Sequence, residues 1–479
     1  MTFDQILAKI DDFVWGVPLI VLILAAGLLL TIRTGFIQVR HLPRALRYLF
    51  KEEVSEEEEI VHGEVSGFAS LCTALSATIG TGNIVGVATA VGILAGGPGA
   101  LFWMWVAAFL GMATKYSEGF LAVKYRTVDE DGHVLGGPFY YIEKGMGVKW
   151  KWLAKIFAFF GACVGLMGIG TFSQVNGIAS AVTGFFDPNK TNTITLFSND
   201  YSIVTVISAF VLAILAGLVI IGGLKRISSV SQVIVPFMAI LYVLAVVVLI
   251  ICNITKLPAA IAEVVTSAFG AKAMAGGALG AVLISMKNGI ARGIFSNESG
   301  LGSAPIAAAA AKTKEPVRQG LISMTGTFID TIIICTMTGL AIVMAGSWKD
   351  EALQGVQITT DAFQKGLHFL PSQAASFILM ICLVFFAFTT ILGWDYYGER
   401  CLEYLSGKNK TAVMIYRILY IAAVFIGPYM TVSAVWTIAD IFNGLMALPN
   451  LVALFALSGV VAKDTKDYFR RLNAGEVKE

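Results

Sequence analysis

Long apolar runs separated by short polar connections dominate the sequence. A helix needs roughly 20 apolar residues to cross the hydrocarbon core of a bilayer, where lipid-exposed loops are not tolerated. The run at 65–114 is too long for one crossing, and the Gly-Gly-Pro-Gly string at 96–99 divides it. The pattern predicts an all-α polytopic membrane protein with eleven transmembrane helices, which lie at 13–32, 65–114 (two helices), 156–186, 201–224, 227–255, 273–291, 319–348, 366–394, 418–439 and 441–462.

Composition agrees with this pattern. Of the 479 residues 57% are apolar, the mean hydropathy is +0.77, and only 14% are charged, against about a quarter in soluble domains. A soluble enzyme is excluded. The formal charge of +2 also argues against a nucleic-acid binder, which needs a basic surface. The six cysteines are scattered singly, so they indicate neither a disulfide framework nor a zinc site.

The basic residues predict how the chain crosses the membrane, because cytoplasmic loops collect Lys and Arg. With the N-terminus outside, 26 of the 34 basic residues fall in inner segments and 6 in outer ones. The first residues also lack the basic region and cleavage site of a removable signal peptide. We expect the first run to be retained, the N-terminus to lie outside the cell membrane and the C-terminus in the cytoplasm.

The ten helices that follow the first fall into two sets of five with opposite polarity, at 65–255 and 273–462. This arrangement is typical of an inverted repeat, and both sets open with a glycine-rich helix, which indicates paired broken helices and a binding site near the bilayer midplane. We therefore predict four segments: an extra helix and cytoplasmic loop at 1–64, a first repeat at 65–255, a second at 256–462, and a cytoplasmic tail at 463–479.

The strongest local signal is the string Ser-Ala-Thr-Ile-Gly-Thr-Gly-Asn-Ile-Val-Gly at 76–86, in the middle of an apolar helix. Each glycine weakens a helix by roughly 1 kcal/mol relative to alanine, so an unwound turn is expected. The freed amides of Thr81 and Gly82 could then hold a carboxylate at a helix N-terminus. The alternative is close helix packing through small residues.

The same unwound turn would expose oxygen ligands. Carbonyls near Ser76, Thr78 and Ile79, together with the Asn83 amide oxygen, suit a hard cation such as sodium. Packing alone does not require an asparagine and two threonines beside the glycines.

Other polar groups in the spans are more ambiguous. Thr389 and Thr390 could offer hydroxyl oxygens to an ion or simply bond their own helix. Gln174, in a polar patch with Phe172, must be satisfied by a substrate ammonium or by a neighbouring backbone. Trp394 could close a pocket or belong to an interfacial belt.

Asp330 is the one acidic side chain predicted near mid-membrane. It could be an ion ligand, a proton carrier or the partner of a cation such as Lys287, because intramembrane carboxylates are usually functional. The segment 292–305 is predicted to be a structured inner loop that leads into a short helix. No catalytic motif is present, and no histidine falls in the interior of a predicted span.

Several long strings resemble the alanine or glycine:cation symporters of bacteria and archaea, in order and over nearly the whole chain. They lie at 77–84, 96–100, 113–116, 136–138, 295–298 and 300–305. The resemblance implies the leucine-transporter fold, a five-plus-five inverted repeat preceded here by one extra helix, and sodium-driven uptake of alanine or glycine.

The resemblance also implies site residues. The amides at 80–83 would hold the amino-acid carboxylate, with Thr78, Thr81, Gly82 and Asn83 at the substrate. The remaining implied substrate contacts are Phe172, Gln174, Met286 and Trp394; the sodium ligands are the Ser76 and Ile79 carbonyls with Thr389 and Thr390, and Thr78 with Asn83 for a second ion.

The sequence thus predicts a sodium-coupled symporter for a small neutral amino acid that works by alternating access, with sodium as the co-transported ion. Bulky Met286 would limit the pocket to small side chains. Two alternatives remain: a proton-coupled amino-acid transporter, in which Asp330 would matter, and a passive channel or facilitator. No enzyme activity, nucleic-acid partner or particular oligomeric state is predicted.

Overall fold

The structure is a computed structural model that describes residues 3–51, 63–129, 133–196, 199–270, 278–430 and 432–477. Within these residues the chain is almost entirely helical, as the apolar runs predict. The helices of the first half are α1 (Phe3–Val14), α2 (Val17–Arg33), α3 (Ile37–Arg40), α4 (Leu42–Tyr48), α5 (Gly67–Thr78), α6 (Val87–Val91), α7 (Gly99–Lys124), α8 (Pro138–Tyr140), α9 (Lys151–Met167), α10 (Phe172–Phe186), α11 (Ile203–Ile220) and α12 (Gly223–Cys252).

The second half repeats this alternation of long helices and short connecting ones. Its α-helices are α13 (Leu257–Ala268), α14 (Ala278–Asn297), α15 (Ala304–Ala308), α16 (Pro316–Thr327), α17 (Thr336–Ala345), α18 (Val356–Gly366), α19 (Ser372–Leu405), α20 (Lys410–Ile426) and α21 (Val432–Asn473).

Tighter and wider turns interrupt or extend these helices, and two hairpins lie between them. The π-helical turns are Gly82–Gly86, Tyr141–Gly145 and Phe328–Cys335, and the 3₁₀ turns are Val148–Trp150, Ile254–Lys256, Ser347–Lys349 and Gly427–Tyr429. The antiparallel hairpins pair β1 (Thr127–Val128) with β2 (Val134–Leu135) and β3 (Thr193–Leu196) with β4 (Asn199–Ser202).

Among the described residues, eight helices are long and apolar enough to cross a membrane, or nine if the bent pair α5 and Gly82–Val91 counts as one span. The prediction of an all-α polytopic membrane protein is confirmed. The predicted number of eleven is not reached by this measure. Two further predicted crossings coincide with α7 and with α14, whose first predicted residues, 273–277, lie outside the described part of the chain.

Two predicted helix boundaries were wrong. The run 156–186 is divided into α9 and α10 at the residues 168–171, where Gly168 and Thr171 leave helical geometry. The last two crossings separate after Ile426, where α20 ends, instead of at Asp440. Asp440 lies inside α21, where a 2.7 Å ion pair with Arg292 makes a buried carboxylate tolerable.

The predicted inner loop 292–305 is also partly wrong. Residues up to Asn297 continue α14, and the chain leaves the helix only at Glu298, whose φ is +57°. Gly300 and Gly302 carry the turn at φ values of +91° and +82°, and α15 follows. The second half of the chain therefore contains a helix interrupted over 298–303, as α5 and α6 are interrupted in the first.

The interior is formed where α5, α7, α10, α14 and α19 meet, and it includes fully buried Trp394, Tyr116 and Phe386. Large apolar side chains on the outer helices face outward, for example Phe210 and Ile240. In a membrane protein such side chains contact lipid and need no covering partner.

Candidate functional site

The helix formed by α5 and α6 is broken at its centre. α5 ends at Thr78, Ile79 is extended with φ −78° and ψ 94°, and the path resumes as the π-helical turn Gly82–Gly86. The two halves meet at an angle of 52°. The predicted interruption is therefore confirmed, and it begins where glycine makes the regular helix least stable.

Side chains capture the backbone amides that the break releases. In a continuous helix the amides of Gly80 and Thr81 would bond to the carbonyls of Ser76 and Ala77. Instead, Gly80 N donates to Asn83 Oδ1 at 2.8 Å, and Thr81 N donates to Gln174 Oε1 at 3.0 Å. The carbonyls of Ser76 and Ala77 are thereby released from those bonds.

Helix α19 supplies a hydroxyl group to the same turn. Thr390 Oγ1 donates to the carbonyl of Ile79 at 3.2 Å and shares its proton with Phe386 O at 3.1 Å. A Cβ atom on Gly80 would lie 2.5 Å from Thr390 Oγ1 and 2.9 Å from Gln174 Oε1. Only glycine allows α10 and α19 to approach the break so closely.

The other predicted oxygen ligands are close in sequence but differ in orientation. Ser76 and Thr78 donate their hydroxyl groups to their own helix, at Thr73 O (2.7 Å) and Ala74 O (3.2 Å). Thr389 Oγ1 donates to Phe386 O at 3.0 Å and lies 3.4 Å from Met238 Sδ. Of the two adjacent threonines, Thr390 is therefore the one that contacts the break in this conformation.

Thr81 carries the unpartnered group of the site. Its side chain is fully buried, and its Oγ1 has no hydrogen-bond partner within the described residues. A buried hydroxyl group without a partner is destabilising unless a ligand satisfies it. The position beside the Gln174 contact makes this oxygen available to a bound molecule.

Asp330 joins the break through Asn83. Asn83 Nδ2 donates to Asp330 Oδ1 at 2.6 Å, while Ser296 Oγ lies 3.1 and 2.9 Å from the two carboxylate oxygens and Thr331 Oγ1 donates to Oδ2 at 2.7 Å. The suggested pairing with Lys287 was wrong, because Lys287 forms an exposed ion pair with Asp12 at 2.9 Å.

The second interrupted helix meets the break through Phe295 and Ser296 instead of Met286. A Cβ atom on Gly82 would lie 3.2 Å from Ser296 Cα and 3.3 Å from Phe295 Cδ1. Met286 precedes Ser296 by ten residues, or about 15 Å along a helix. Its neighbour Ser285 contacts Gly96, in the connection before α7. Sequence reasoning missed Ser296 because it placed this segment in a loop.

Helix α10 presents Gln174 and Gly177 to the break, one turn apart on the same face. A Cβ atom on Gly177 would lie 2.5 Å from Thr81 Cγ2. Phe172 instead contacts Gly427, the residue that follows α20. The structure therefore brings Gln174 to the site and leaves Phe172 against another helix.

Trp394 is fully buried below the break, and its indole Nε1 donates to Glu298 Oε1 at 2.8 Å. The preceding Gly393 packs on Ala77, because a Cβ atom there would lie 2.7 Å from Ala77 Cβ. Trp394 thus links α19 to the interruption of the second helix. It does not line an open cavity in this conformation.

Two adjoining cavities of about 310 and about 620 Å³ open on one side of the break. Both are lined by Val85, in the π-helical turn, and by Trp436, and the larger one extends to Gly177. Arg292 lies at the wall of the smaller cavity, with its guanidinium 5.1 Å from the Trp436 ring. The site can therefore be reached from the side on which 92–95 and 350–358 lie.

A polar layer closes the opposite side. Asn450 Nδ2 donates to the carbonyl of Gly300 at 2.9 Å and to Glu118 Oε1 at 2.7 Å, and the hydroxyl of Tyr141 donates to Asn450 Oδ1. With the bond between Trp394 and Glu298, these contacts join five separate elements: α7, the turn Tyr141–Gly145, the interruption 298–303, α19 and α21. The break thus lies between an open cavity and a closed layer, as a gated binding site requires.

The chain matches known proteins over its full length. The sequence model of the sodium:alanine symporter family matches residues 1–479. An uncharacterized transporter of Haemophilus influenzae is 55% identical over 473 residues, which cover 98% of this chain and 97% of the relative. The sodium/alanine symporter AgcS of Methanococcus maripaludis is 46% identical, with complete coverage of both chains. The probable sodium/glutamine symporter GlnT of Bacillus subtilis is 38% identical, covering 99% and 92%.

Proposed function

Because the chain belongs to the sodium:alanine symporter family, and is therefore an amino-acid transporter of the membrane and not an enzyme, we propose that it couples inward sodium movement to the uptake of a small neutral amino acid, alanine or glycine. The cell membrane is its proposed location, with the N-terminus outside and the C-terminus in the cytoplasm. That orientation rests on the distribution of Lys and Arg.

One observation carries the proposal: three side chains from different elements converge on the broken helix. Asn83 and Gln174 hold the freed amides, and the hydroxyl of Thr390 meets the freed carbonyl of Ile79. Unwound backbone inside a membrane is tolerated only where protein, ions or ligand satisfy its polar groups. Half-helices that end at mid-membrane are the typical sites for substrate and coupling ion.

The proposed sodium site lies between α5 and α19. Its ligands are the carbonyls of Ser76 and Ile79 with the hydroxyl oxygens of Thr389 and Thr390, and hydroxyl and carbonyl oxygens are the ligands that hard cations prefer. The Gly80 amide is already diverted to Asn83, which supports the availability of the Ser76 carbonyl. A second ion is proposed at Thr78 and Asn83.

The proposed substrate site is the adjacent face of the break. The amino-acid carboxylate would lie at the N-terminus of the half-helix that begins near Gly82, and the unpartnered Thr81 Oγ1 would donate to it. Gln174 would accept from the ammonium group. Ser296 and Gly177 approach the break closely, which favours a small side chain. Phe172, Met286 and Trp394 have other contacts in this conformation, so a role for them needs a rearrangement.

The proposed architecture is the five-plus-five inverted repeat of the leucine-transporter fold. The first unit, 65–255, would run from α5 to α12, and the second, 256–462, from α13 into α21, with 1–64 as an extra element and 463–479, which includes the end of α21, as a tail. The interrupted helix at the start of each unit supports this assignment. Of the first segment, 52–62 lies outside the described residues, as do the last two residues of the tail.

Coupling would follow from the shared wall of the two sites. Sodium between α5 and α19 would fix the Ile79 carbonyl, and the same turn presents Thr81 Oγ1 and the N-terminus of the second half-helix to the substrate. Each ligand then stabilises the arrangement that the other needs, which is a reciprocal coupling of binding free energies. Rocking one repeat against the other would open the site alternately to the two sides.

The test is uptake of radiolabelled alanine by the purified protein in proteoliposomes. Accumulation above the external concentration under an inward sodium gradient is the expected result, and the same vesicles with equal sodium on both sides are the control. Accumulation driven only by a proton gradient would favour the proton-coupled alternative, in which Asp330 is the candidate proton carrier. Equilibration without accumulation under either gradient would favour a facilitator.

A further inference from the structure

The closed layer below the break contains more buried acid than buried base. Glu118 and Glu298 are fully buried, Asp330 is fully buried above them, and Lys115 is only 3% exposed. Lys115 interacts electrostatically with all three carboxyl groups, most strongly with Glu298. Three ionised carboxylates with one ammonium would leave a net charge of −2 in a region without solvent.

Lys115 does not form a close ion pair that would compensate one of these acids. Its Nζ donates to the carbonyl of Asn297 at 2.8 Å, and no carboxylate oxygen of the described residues lies within 4.0 Å of it. A buried carboxylate is tolerated when it is paired or fully hydrogen-bonded, and otherwise it takes up a proton. The hydrogen bonds of each acid therefore indicate which one carries the proton.

Two of the three acids have the bonds of an ionised carboxylate. Both oxygens of Asp330 accept hydrogen bonds, from Asn83, Ser296 and Thr331. Both oxygens of Glu298 also accept, Oε1 from Trp394 Nε1 and Oε2 from Ser303 Oγ at 2.6 Å.

Glu118 differs from both. Its Oε1 accepts two bonds, from Gly302 N at 3.1 Å and Asn450 Nδ2 at 2.7 Å, while its Oε2 is buried and has no partner in the described part of the chain. An ionised carboxylate whose second oxygen accepts no bond is costlier to bury than a neutral acid whose hydroxyl donates none, so the balance favours a proton on Oε2.

Among the described residues, Lys115 is the one basic group that interacts with Glu118. On its own helix the charged neighbour is Lys115. From the elements packed against it come Glu298 and the phenolic groups of Tyr141 and Tyr397. Helix α16 contributes uncharged Ser323, which contacts the adjacent Gly119, and α21 contributes Asn450.

We propose that Glu118 is a proton-binding site of the closed inner layer, occupied at Oε2 while the layer is closed and emptied to the inner compartment when the layer opens. The proton leaves as Glu118 becomes a hydrated carboxylate, and the same group takes it back on closing, so no net proton transport results. The inference rests on the proposed alternating-access function, because only an opening layer admits water to Glu118.

The geometry links this proton to the moving parts. Gly302 belongs to the interruption of the second broken helix, and Asn450 belongs to α21, so both donors to Oε1 come from elements that must separate for the layer to open. Closing without a proton would bury a carboxylate that lacks a cation. The return step should therefore slow when protons are scarce in the inner compartment.

The experiment compares wild type, Glu118→Gln and Asp464→Asn in proteoliposomes whose internal pH varies from about 6 to about 9 at fixed external pH. Glutamine keeps an acceptor at Oε1 and stays neutral. The initial rate of sodium-driven alanine uptake should fall several-fold with rising internal pH in wild type and in Asp464→Asn, which removes an exposed acid paired with Lys124. It should not vary with internal pH in Glu118→Gln, and a fall in this variant as large as that in wild type would overturn the proposal.

A measurement that does not depend on transport distinguishes a failure of the proton assignment at Glu118 from a failure of the proposed transport function. Infrared spectroscopy of the purified protein at neutral pH should show a component of the protonated carboxylic-acid absorption that is lost in Glu118→Gln and retained in Asp464→Asn, while buried Asp395, whose oxygens also have no partner in the described residues, contributes equally to all three spectra. If the glutamine variant does not fold, Glu118→Asp serves as the test. It keeps a titratable group at this position, and its carboxylic-acid band should be displaced from the wild-type position. Unchanged spectra in both Glu118 variants would overturn the proposal. A band at Glu118 in a protein without sodium-driven uptake would instead refute the transport function.

Discussion

The side-chain oxygen of Gln174 accepts a hydrogen bond from the backbone amide of Thr81 at 3.0 Å, across 93 residues of sequence. This contact links α10 to the turn that follows the end of α5. The same turn is held on its other side by Thr390 of α19. The site therefore depends on three helices that are far apart in the chain, and each of them can be tested separately.

Gln174→Ala should lower alanine uptake by about ten- to a hundredfold. The substitution leaves the buried Thr81 amide without an acceptor, which costs about 1–3 kcal/mol and lets the turn move. The matched control is Gln364→Ala, because Gln364 lies on the wall of the larger cavity and donates to Ser376 Oγ at 2.8 Å, away from the break. Equal initial rates in the two variants would contradict the assignment of Gln174.

Gly177→Ala and Gly184→Ala form a matched pair within α10. An alanine at 177 would bring its Cβ to 2.5 Å from Thr81 Cγ2, whereas nothing lies within 4 Å of the same atom at 184. Displacing Thr81 by even a fraction of an ångström should reduce uptake by about tenfold or more. Gly184→Ala should keep its activity and gain up to about 1 kcal/mol of helix stability. Initial uptake rates and thermal unfolding in detergent distinguish the two.

Local composition predicted the first break because glycine at 80, 82 and 86 weakens a helix wherever it lies. Gln174 could be singled out for a similar reason, since a buried amide must find a partner. Its actual partner, the amide of Thr81, depends on tertiary packing that periodicity does not encode. The membrane class followed from the apolar pattern, and the division of 65–114 followed from its length together with the Gly-Gly-Pro-Gly string at 96–99.

Charged residues inside helices explain the two helix bounds that were wrongly predicted from the sequence at Asp440 and Arg292. Asp440 was taken as an interruption, but its ion pair with Arg292 allows α21 to continue through it. Arg292 was assigned to a loop for the same reason, so Ser296 was not considered as a contact of the break. An ion pair between two helices is a tertiary property, so a single run of sequence does not reveal it.

His41 should make the stability of the fold sensitive to mild acid. Its ring stacks on Phe469 with centroids 3.9 Å apart, and burial, aided by Arg44 and Arg40, lowers the pKa of His41 from 6.5 to about 4. The unfolded chain then binds a proton that the fold excludes. The contribution of neutral His41 is fully present above pH 6.5 and is lost progressively as the pH falls toward 4.

His41→Phe keeps the stacking and removes the titration, so its unfolding temperature in detergent should fall less than that of wild type between those two pH values. The control is His368→Phe, because His368 is exposed near the start of α19. A parallel loss of stability in wild type and His41→Phe would show that acid acts elsewhere in the molecule.

The two adjacent threonines of α19 should differ in their effect on sodium. Thr390 Oγ1 contacts the Ile79 carbonyl, whereas Thr389 Oγ1 is directed toward Phe386 O and Met238. Thr390→Val preserves shape and removes the oxygen nearest the break, so the sodium concentration for half-maximal uptake should rise about tenfold, equivalent to about 1.4 kcal/mol. Thr389→Val should raise it less. Thr360→Val is the control, since that hydroxyl bonds to its own helix at Val356 O on the cavity wall. If Thr390→Val left the sodium dependence at the Thr360→Val value, the ion would have to bind away from the junction of α5 and α19.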